Sequence, residues 1–168
     1  MQLIFWLGLW LIAMVLQSTV LSGIAQNGIK PDLLVVLIAV VGLIWGWRPA
    51  VGLGALYGLL EDLLVGKFFG LNTAAKLVCG LAAGLSEKGI YKENMWAPVV
   101  VVFLASLAHD LVFVGLGMVA GLSTASLAYS FMRVTVISGL INSLLALFIY
   151  GPLHTSSRKG FLRRGIWG

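Results

Sequence analysis

Long uninterrupted apolar runs constrain this chain more than any other feature of its sequence. Short polar connectors separate the runs, and 60% of the residues are hydrophobic while only 10% are charged. The mean hydropathy of the chain is +1.04. A soluble domain of this size needs more polar surface than such a composition supplies. Continuous runs predict helices, because backbone groups left unpaired in hydrocarbon cost several kcal/mol each. A membrane barrel requires alternating polar and apolar residues instead. We therefore predict an all-α, polytopic membrane helix bundle.

The runs predict about six transmembrane spans, each with an error of a few residues at its ends. The spans are Leu3–Leu21, Leu33–Trp47, Pro49–Val65, Thr73–Leu85, Met95–Val119 and Leu127–Tyr150. The fourth span is short and contains Lys76, so five spans and one re-entrant segment are the alternative. Pro31 and Pro49 stand where spans begin. Proline is compatible with this position because it lacks only an N–H group, and the first N–H groups of a helix have no partner within that helix. Pro152 is expected to end the sixth span.

The charges of the connecting loops predict how the chain is oriented. If the N-terminus is inside, the outer loops hold Lys30 and Lys67. The cytoplasmic side then collects Arg48, Lys88, Lys92, Arg158, Lys159, Arg163 and Arg164. Because basic residues concentrate on the cytoplasmic side of membrane proteins, both termini are expected in the cytoplasm. Residues 1–153 are predicted to form a single transmembrane domain, and residues 154–168 a short basic cytoplasmic tail. The net charge of +5 follows from this topology and does not indicate nucleic-acid binding.

Several ionisable residues interrupt the apolar runs. They are Glu61, Asp62, Lys76, His109, Asp110 and Arg133. An unpaired charge in the bilayer core costs several kcal/mol, so these groups are expected to face one another or water. Lys76 and Arg133 are expected to neutralise two of the three carboxylates. Two interpretations stay open, namely internal ion pairs that fix helix register and a group of residues that lines a substrate or proton site.

Small residues recur every four positions in three of the predicted spans. Gly54 and Gly58 do so in the third span, Gly80 and Gly84 in the fourth, and Gly42 and Gly46 in the second. This spacing places them on one face of a helix and allows two backbones to approach closely. It predicts tight packing inside the protein, and a docking face for another membrane protein is the alternative.

The sequence contains no motif that predicts catalysis. It has no Gly-x-Ser-x-Gly elbow, no His-Glu-x-x-His helix and no glycine-rich phosphate loop with a lysine. The histidine inside the fifth run and the scattered carboxylates lack the spacing of metal ligands. We therefore expect no enzymatic activity, no catalytic residue, no cofactor and no metal.

Three motifs occur in a fixed order along the chain. They are Gly-Ile-Lys-Pro-Asp-Leu-Leu at residues 28–34, Gly-Leu-Gly-Ala-Leu-Tyr-Gly-Leu-Leu-Glu-Asp at residues 52–62, and Gly-Leu-Asn-Thr at residues 70–73. The last motif leads into Lys76. In this order and spacing, over roughly residues 1–150, the sequence resembles the MreD family of bacterial rod shape-determining membrane proteins. Glu61 beside Asp62 departs from some relatives.

The resemblance implies a fold similar to the substrate-binding S-components of energy-coupling-factor vitamin transporters, with six helices and an inward cavity. It implies a non-enzymatic component of the elongasome, which directs lateral peptidoglycan synthesis at the bacterial cell membrane. The expected partner is the bitopic protein MreC, and through it MreB, RodA and a class B penicillin-binding transpeptidase. Membrane lipid is a further expected partner, nucleic acid is not, and self-association is left open.

The resemblance also carries a hypothesis about individual residues. The candidates for structure or partner interaction are Pro31, Asp32, Glu61, Asp62, Asn72, Lys76, Asp110 and Arg133. Pro31 and Asp32 would set the start of the second span. The next four would hold the third and fourth spans together and form a polar corner that partners recognise.

Two other functions stay open from the sequence. One is the vitamin-binding S-component of an importer, which ligand-dependent stabilisation would favour. The other is a small proton-coupled channel or transporter that uses Asp110 and Arg133, which ion flux in liposomes would favour.

Overall fold

The computed structural model describes residues 2–21, 31–64, 69–88, 96–121 and 127–159. Within these residues the chain forms helices and no strand, which confirms the all-α prediction. The helices are α1 (Gln2–Leu16), α2 (Leu33–Trp45), α3 (Trp47–Leu64), α4 (Leu71–Leu85), α5 (Ala97–Val119) and α6 (Leu127–Lys159). A π-helical turn, Gln17–Leu21, extends α1, and a 3-10 turn, Ser86–Lys88, extends α4.

Helix α2 lies at the centre of the bundle. Every residue from 34 to 44 is buried, and α2 contacts each of the other helices. A helix that is hydrophobic on all sides is expected in such a position. Helix α2 ends at Trp45, and its C-cap residue Gly46 has a φ of +89°, a backbone conformation that favours glycine. The second and third predicted spans therefore meet at Gly46, slightly earlier than the predicted boundary between Trp47 and Pro49.

Helices α3 and α4 form the closest pair in the bundle. Four glycines lie along their contact, namely Gly54 and Gly58 on α3 and Gly80 and Gly84 on α4. A Cβ atom added to Gly54 would lie 2.5 Å from the carbonyl oxygen of Lys76. One added to Gly80 would lie 2.6 Å from the carbonyl oxygen of Ala50. Larger residues at these positions would therefore push the two backbones apart.

The sixth helix is longer than predicted. The prediction that Pro152 ends this helix is wrong, since α6 continues through Pro152 to Lys159. Proline has no N–H group, so the carbonyl four residues earlier loses its usual hydrogen bond. Membrane helices tolerate a proline where other side chains, water or a local change of helix geometry supply that carbonyl with a new partner. Two described segments are long and apolar enough to cross a membrane, Ala97–Val119 and Val134–Ser157. Ile4–Thr19 and Leu33–Trp45 are shorter apolar helices.

Candidate functional site

Asp62 joins the end of α3 to the beginning of α4. Its side chain is buried and accepts backbone N–H bonds from Gly70, Asn72 and Thr73 at 3.0, 3.1 and 3.0 Å. Asn72 Nδ2 and Thr73 Oγ1 also donate to it, at 2.9 and 2.7 Å. The first N–H groups of a helix have no partner within that helix. The N-cap residue of α4, Gly70, makes no side-chain bond to them. Asp62 therefore caps α4 from the preceding helix, where its negative charge also suits the helix dipole.

Lys76 is fully buried in α4 and contacts two carboxylates. Its Nζ lies 2.5 Å from Glu61 Oε2 and 3.3 Å from Asp32 Oδ2. A buried ammonium is tolerated only when such partners compensate its lost hydration. The pairing with Glu61 is one of those expected from the sequence, whereas Asp32 was not among the expected partners. Glu61 and Asp62 point about 100° apart on their helix, so they contact different neighbours.

Asp32 connects α2 to helices that are distant in sequence. Its Oδ1 accepts the N–H groups of Leu34 and Val35 in the first turn of α2, at 2.9 and 3.1 Å. Gln17 Nε2 donates to the same oxygen at 2.9 Å. The backbone N–H of Asp32 donates to Asn142 Oδ1 at 2.9 Å. Asp32 therefore caps its own helix and also holds α1 and α6 against it.

Asn142 extends this network to α5. Its Nδ2 donates to Ser106 Oγ at 3.1 Å, and both side chains are buried. We call the connected set the polar hub, and its members are Gln17, Asp32, Glu61, Lys76, Ser106 and Asn142. Each helix contributes one member. Gln17 lies in the π-helical turn that extends α1, Asp32 is the N-cap residue of α2, and the other four members lie within α3, α4, α5 and α6. The hub therefore links all six described helices at one place.

The hub carries more carboxylates than ammonium groups. With all three groups ionised, Asp32, Glu61 and Lys76 sum to a formal charge of −1. The N-terminus of α2 offsets part of this excess, because its N–H groups point at the Asp32 carboxylate. The two carboxylates therefore depend on both the Lys76 ammonium and the N-terminus of α2 for their compensation.

Asp110 lies outside the hub. Its Oδ1 is 2.9 Å from His109 Nδ1, and the His109 ring stacks on Phe113 with centroids 6.2 Å apart. The Nε2 atom of His109 is buried without a hydrogen-bond partner among the described residues. The expected neutralisation by Arg133 stays a prediction, and the Arg133 side chain lies outside the described residues.

Four further residues that make hydrogen bonds between helices were not among the sequence candidates. Gln17, Ser106 and Asn142 belong to the hub, and the Tyr57 hydroxyl donates to the carbonyl oxygen of Trp6 at 2.9 Å, which joins α3 to α1. The signal available in the sequence was a polar side chain inside an apolar run. That signal marks a buried hydrogen bond but does not name the partner.

A family model described as rod shape-determining protein MreD matches residues 1–155 of the chain. The chain belongs to the MreD family. The matched segment contains every member of the polar hub and the Asp62 cap. MreD-family proteins are membrane proteins of rod shape determination, so this chain has a role in that process. No curated protein and no solved structure gives a significant match, and the similarity to S-components therefore stays a prediction.

Proposed function

We propose that this MreD-family protein is a non-enzymatic scaffold of the elongasome that binds MreC. Through MreC it connects to MreB, RodA and a class B penicillin-binding transpeptidase, and it helps to organise lateral peptidoglycan synthesis. The polar hub is the observation that carries the proposal. Its ionisable groups contact one another and hold six helices together. A bundle fixed in this way offers a partner a surface of constant shape.

The proposed orientation places both termini in the cytoplasm of the bacterial cell, with six spans in its membrane. The turn at Gly46 and the 3-10 turn after α4 are neighbours, since a Cβ atom on Gly46 would lie 2.8 Å from Glu87 Oε2. Arg48 and Lys88 are at this end of the bundle, and basic residues favour the cytoplasmic side. The Asp62 cap lies at the opposite end of α3, which then faces outward.

Co-purification in a mild detergent from the native bacterium tests the proposal directly. We expect the tagged protein to recover a bitopic MreC together with cell-wall synthases, as identified by mass spectrometry. Recovery of a pair of ABC ATPases and a transmembrane coupling subunit would instead identify a vitamin importer. That outcome would overturn the scaffold proposal.

The variant Asp62→Ala tests whether the capped α3–α4 end supports partner binding. Removing the carboxylate leaves the N–H groups of the N-cap residue Gly70 and of Asn72 and Thr73 in α4, together with two side-chain donors, without their acceptor. We expect a loss of roughly 2–3 kcal/mol in the free energy of unfolding, given the usual effects of helix caps and of hydrogen bonds to charged groups. We also expect less MreC to be recovered per folded molecule.

Asp62→Asn is the matched control, because its amide oxygen still accepts hydrogen bonds while the negative charge is gone. Its stability and MreC recovery should lie between those of the wild type and Asp62→Ala. Unchanged thermal stability together with unchanged MreC recovery in Asp62→Ala would show that this end of the bundle has neither role.

A further inference from the structure

His109 carries a hydrogen-bond acceptor that has no donor. The residue is 7% exposed, and its Nδ1 lies 2.9 Å from Asp110 Oδ1. An ionised carboxylate only accepts hydrogen bonds, so in the neutral ring Nδ1 holds the proton and donates it to Asp110. The lone pair of the ring is then at Nε2. That atom is buried and has no partner among the described residues, although buried polar atoms are nearly always hydrogen-bonded.

Ser106 carries a donor that has no acceptor, three positions earlier on α5. Its Oγ is buried and accepts Asn142 Nδ2 at 3.1 Å. A hydroxyl group also has one proton to donate, and within the described part of the chain no group accepts it. Residues three apart on a helix are neighbours on one face, with Cβ atoms about 5–6 Å apart. An unused donor and an unused acceptor therefore lie side by side in the interior.

Both side chains face the polar hub. Ser106 is a member of the hub, and the charge of His109 acts on the carboxylates of both Asp32 and Glu61. The surroundings of the two unused atoms are therefore polar. Such surroundings, with two to four hydrogen-bonding groups in reach, are where proteins hold buried water.

The two unused atoms specify the chemistry of what lies between them. A bridging molecule must accept the Ser106 hydroxyl proton and donate to His109 Nε2 at the same time. Water does both, and two hydrogen bonds of roughly 2.8 Å suit neighbours at this spacing. A metal ion is a poorer occupant, because the described residues contain no group of three or more side chains that could ligate one.

We propose that a buried water molecule bridges Ser106 Oγ and His109 Nε2. This water joins the His109–Asp110 pair to the hub, so the network continues from Asn142 through Ser106 to Asp110. The Asp110 side chain is 28% exposed, and the network then leads from the buried interior to the outer side of α5. His109 acts as a positioning residue, because Asp110 fixes its ring and its Nε2 holds the water.

A crystal structure of the full chain, at a resolution that shows ordered water, tests the site directly. We expect one water within ~3.2 Å of both Ser106 Oγ and His109 Nε2. Two variants separate the nitrogens of the ring, since the amide of asparagine lies near the position of Nδ1 and that of glutamine near Nε2. The water should be absent from His109→Asn and present in His109→Gln.

Thermal unfolding in mild detergent measures whether the two residues are coupled. Ser106→Ala is made in the wild type and in both His109 variants. Its loss of the bond from Asn142 is common to all three, so the difference between backgrounds reports the water bridge. We expect Ser106→Ala to lower the melting temperature by ~2–4 °C more in the wild type and in His109→Gln than in His109→Asn, as one hydrogen bond does in a chain of this length.

Three results would overturn the inference. A direct hydrogen bond between Ser106 Oγ and His109 Nε2 in the crystal would leave no place for the water. An interior without water density beside Nε2 would show that this atom stays unpaired. Equal losses for Ser106→Ala in the three backgrounds would show that Ser106 and His109 do not share a bridging molecule.

Discussion

Replacing Lys76 by methionine should destabilise the bundle strongly. Methionine is similar in length and apolar, so the change mainly removes the ammonium group that Asp32 and Glu61 share. Lys76 is fully buried, with Nζ at 3.3 and 2.5 Å from the two carboxylates. Removing one partner from a buried ionic group costs roughly 3–5 kcal/mol. At ~2–4 °C per kcal/mol for a chain of this length, the melting temperature should fall by on the order of 10 °C.

Thermal unfolding in mild detergent, followed by tryptophan fluorescence, measures this loss. Trp6 is buried and lies edge-on to Trp45, with ring centroids 6.1 Å apart, so its emission should report the opening of the bundle. Lys88→Met is the matched control, because Lys88 is exposed. Exposed substitutions of this kind usually change stability by less than ~0.5 kcal/mol.

A double-mutant cycle isolates the ion pair from other effects of the substitution. Adding Glu61→Gln to Lys76→Met removes one of the two carboxylates that lost their partner, so part of the stability should return. The coupling free energy between the two sites should fall in the range of about 0.5–3 kcal/mol for groups in contact. An unchanged melting temperature for Lys76→Met, or strictly additive effects of the two substitutions, would refute the role given to the hub.

Two smaller substitutions test other contacts between helices. Gly54→Ala places a methyl group against the carbonyl oxygen of Lys76 and should cost about 1–3 kcal/mol of stability, as overpacking does. Gly115→Ala, which meets no atom within 4 Å, is its control in the same melting assay and should not destabilise. Tyr57→Phe removes the hydrogen bond to the Trp6 carbonyl and should cost about 1 kcal/mol. Equal melting temperatures for the two glycine variants, or for Tyr57→Phe and wild type, would contradict these assignments.

The sequence predicted the helices well because each is a long apolar run. The ends were less certain, for reasons that the structure makes clear. The turn at Gly46 falls inside an apolar stretch and depends on a positive φ that hydropathy does not reveal. Pro152 is a strong stop signal in water, but α6 continues past it.

The polar hub was predictable only in part. The sequence indicated that buried charges must be paired, and Glu61 with Lys76 follows from that rule. It did not indicate that Asp32 also pairs with Lys76, because the two are 44 positions apart and meet only once α4 packs on α2. Asn142 is 110 positions from Asp32. No local pattern encodes such a contact, which depends on how the helices are arranged.

The order of the hub residues along the chain has a consequence for biogenesis. Asp32 and Glu61 leave the ribosome before Lys76, so a nascent chain carries two acidic groups whose counterion has not yet been made. The counterion arrives with α4, and the network closes only when α6 delivers Asn142 to the N–H group of Asp32. A chain that stops before α6 therefore retains an unpaired polar group at the start of its central helix. The hub thus makes the synthesis of α6 a condition for completing the polar interior of the five helices that precede it.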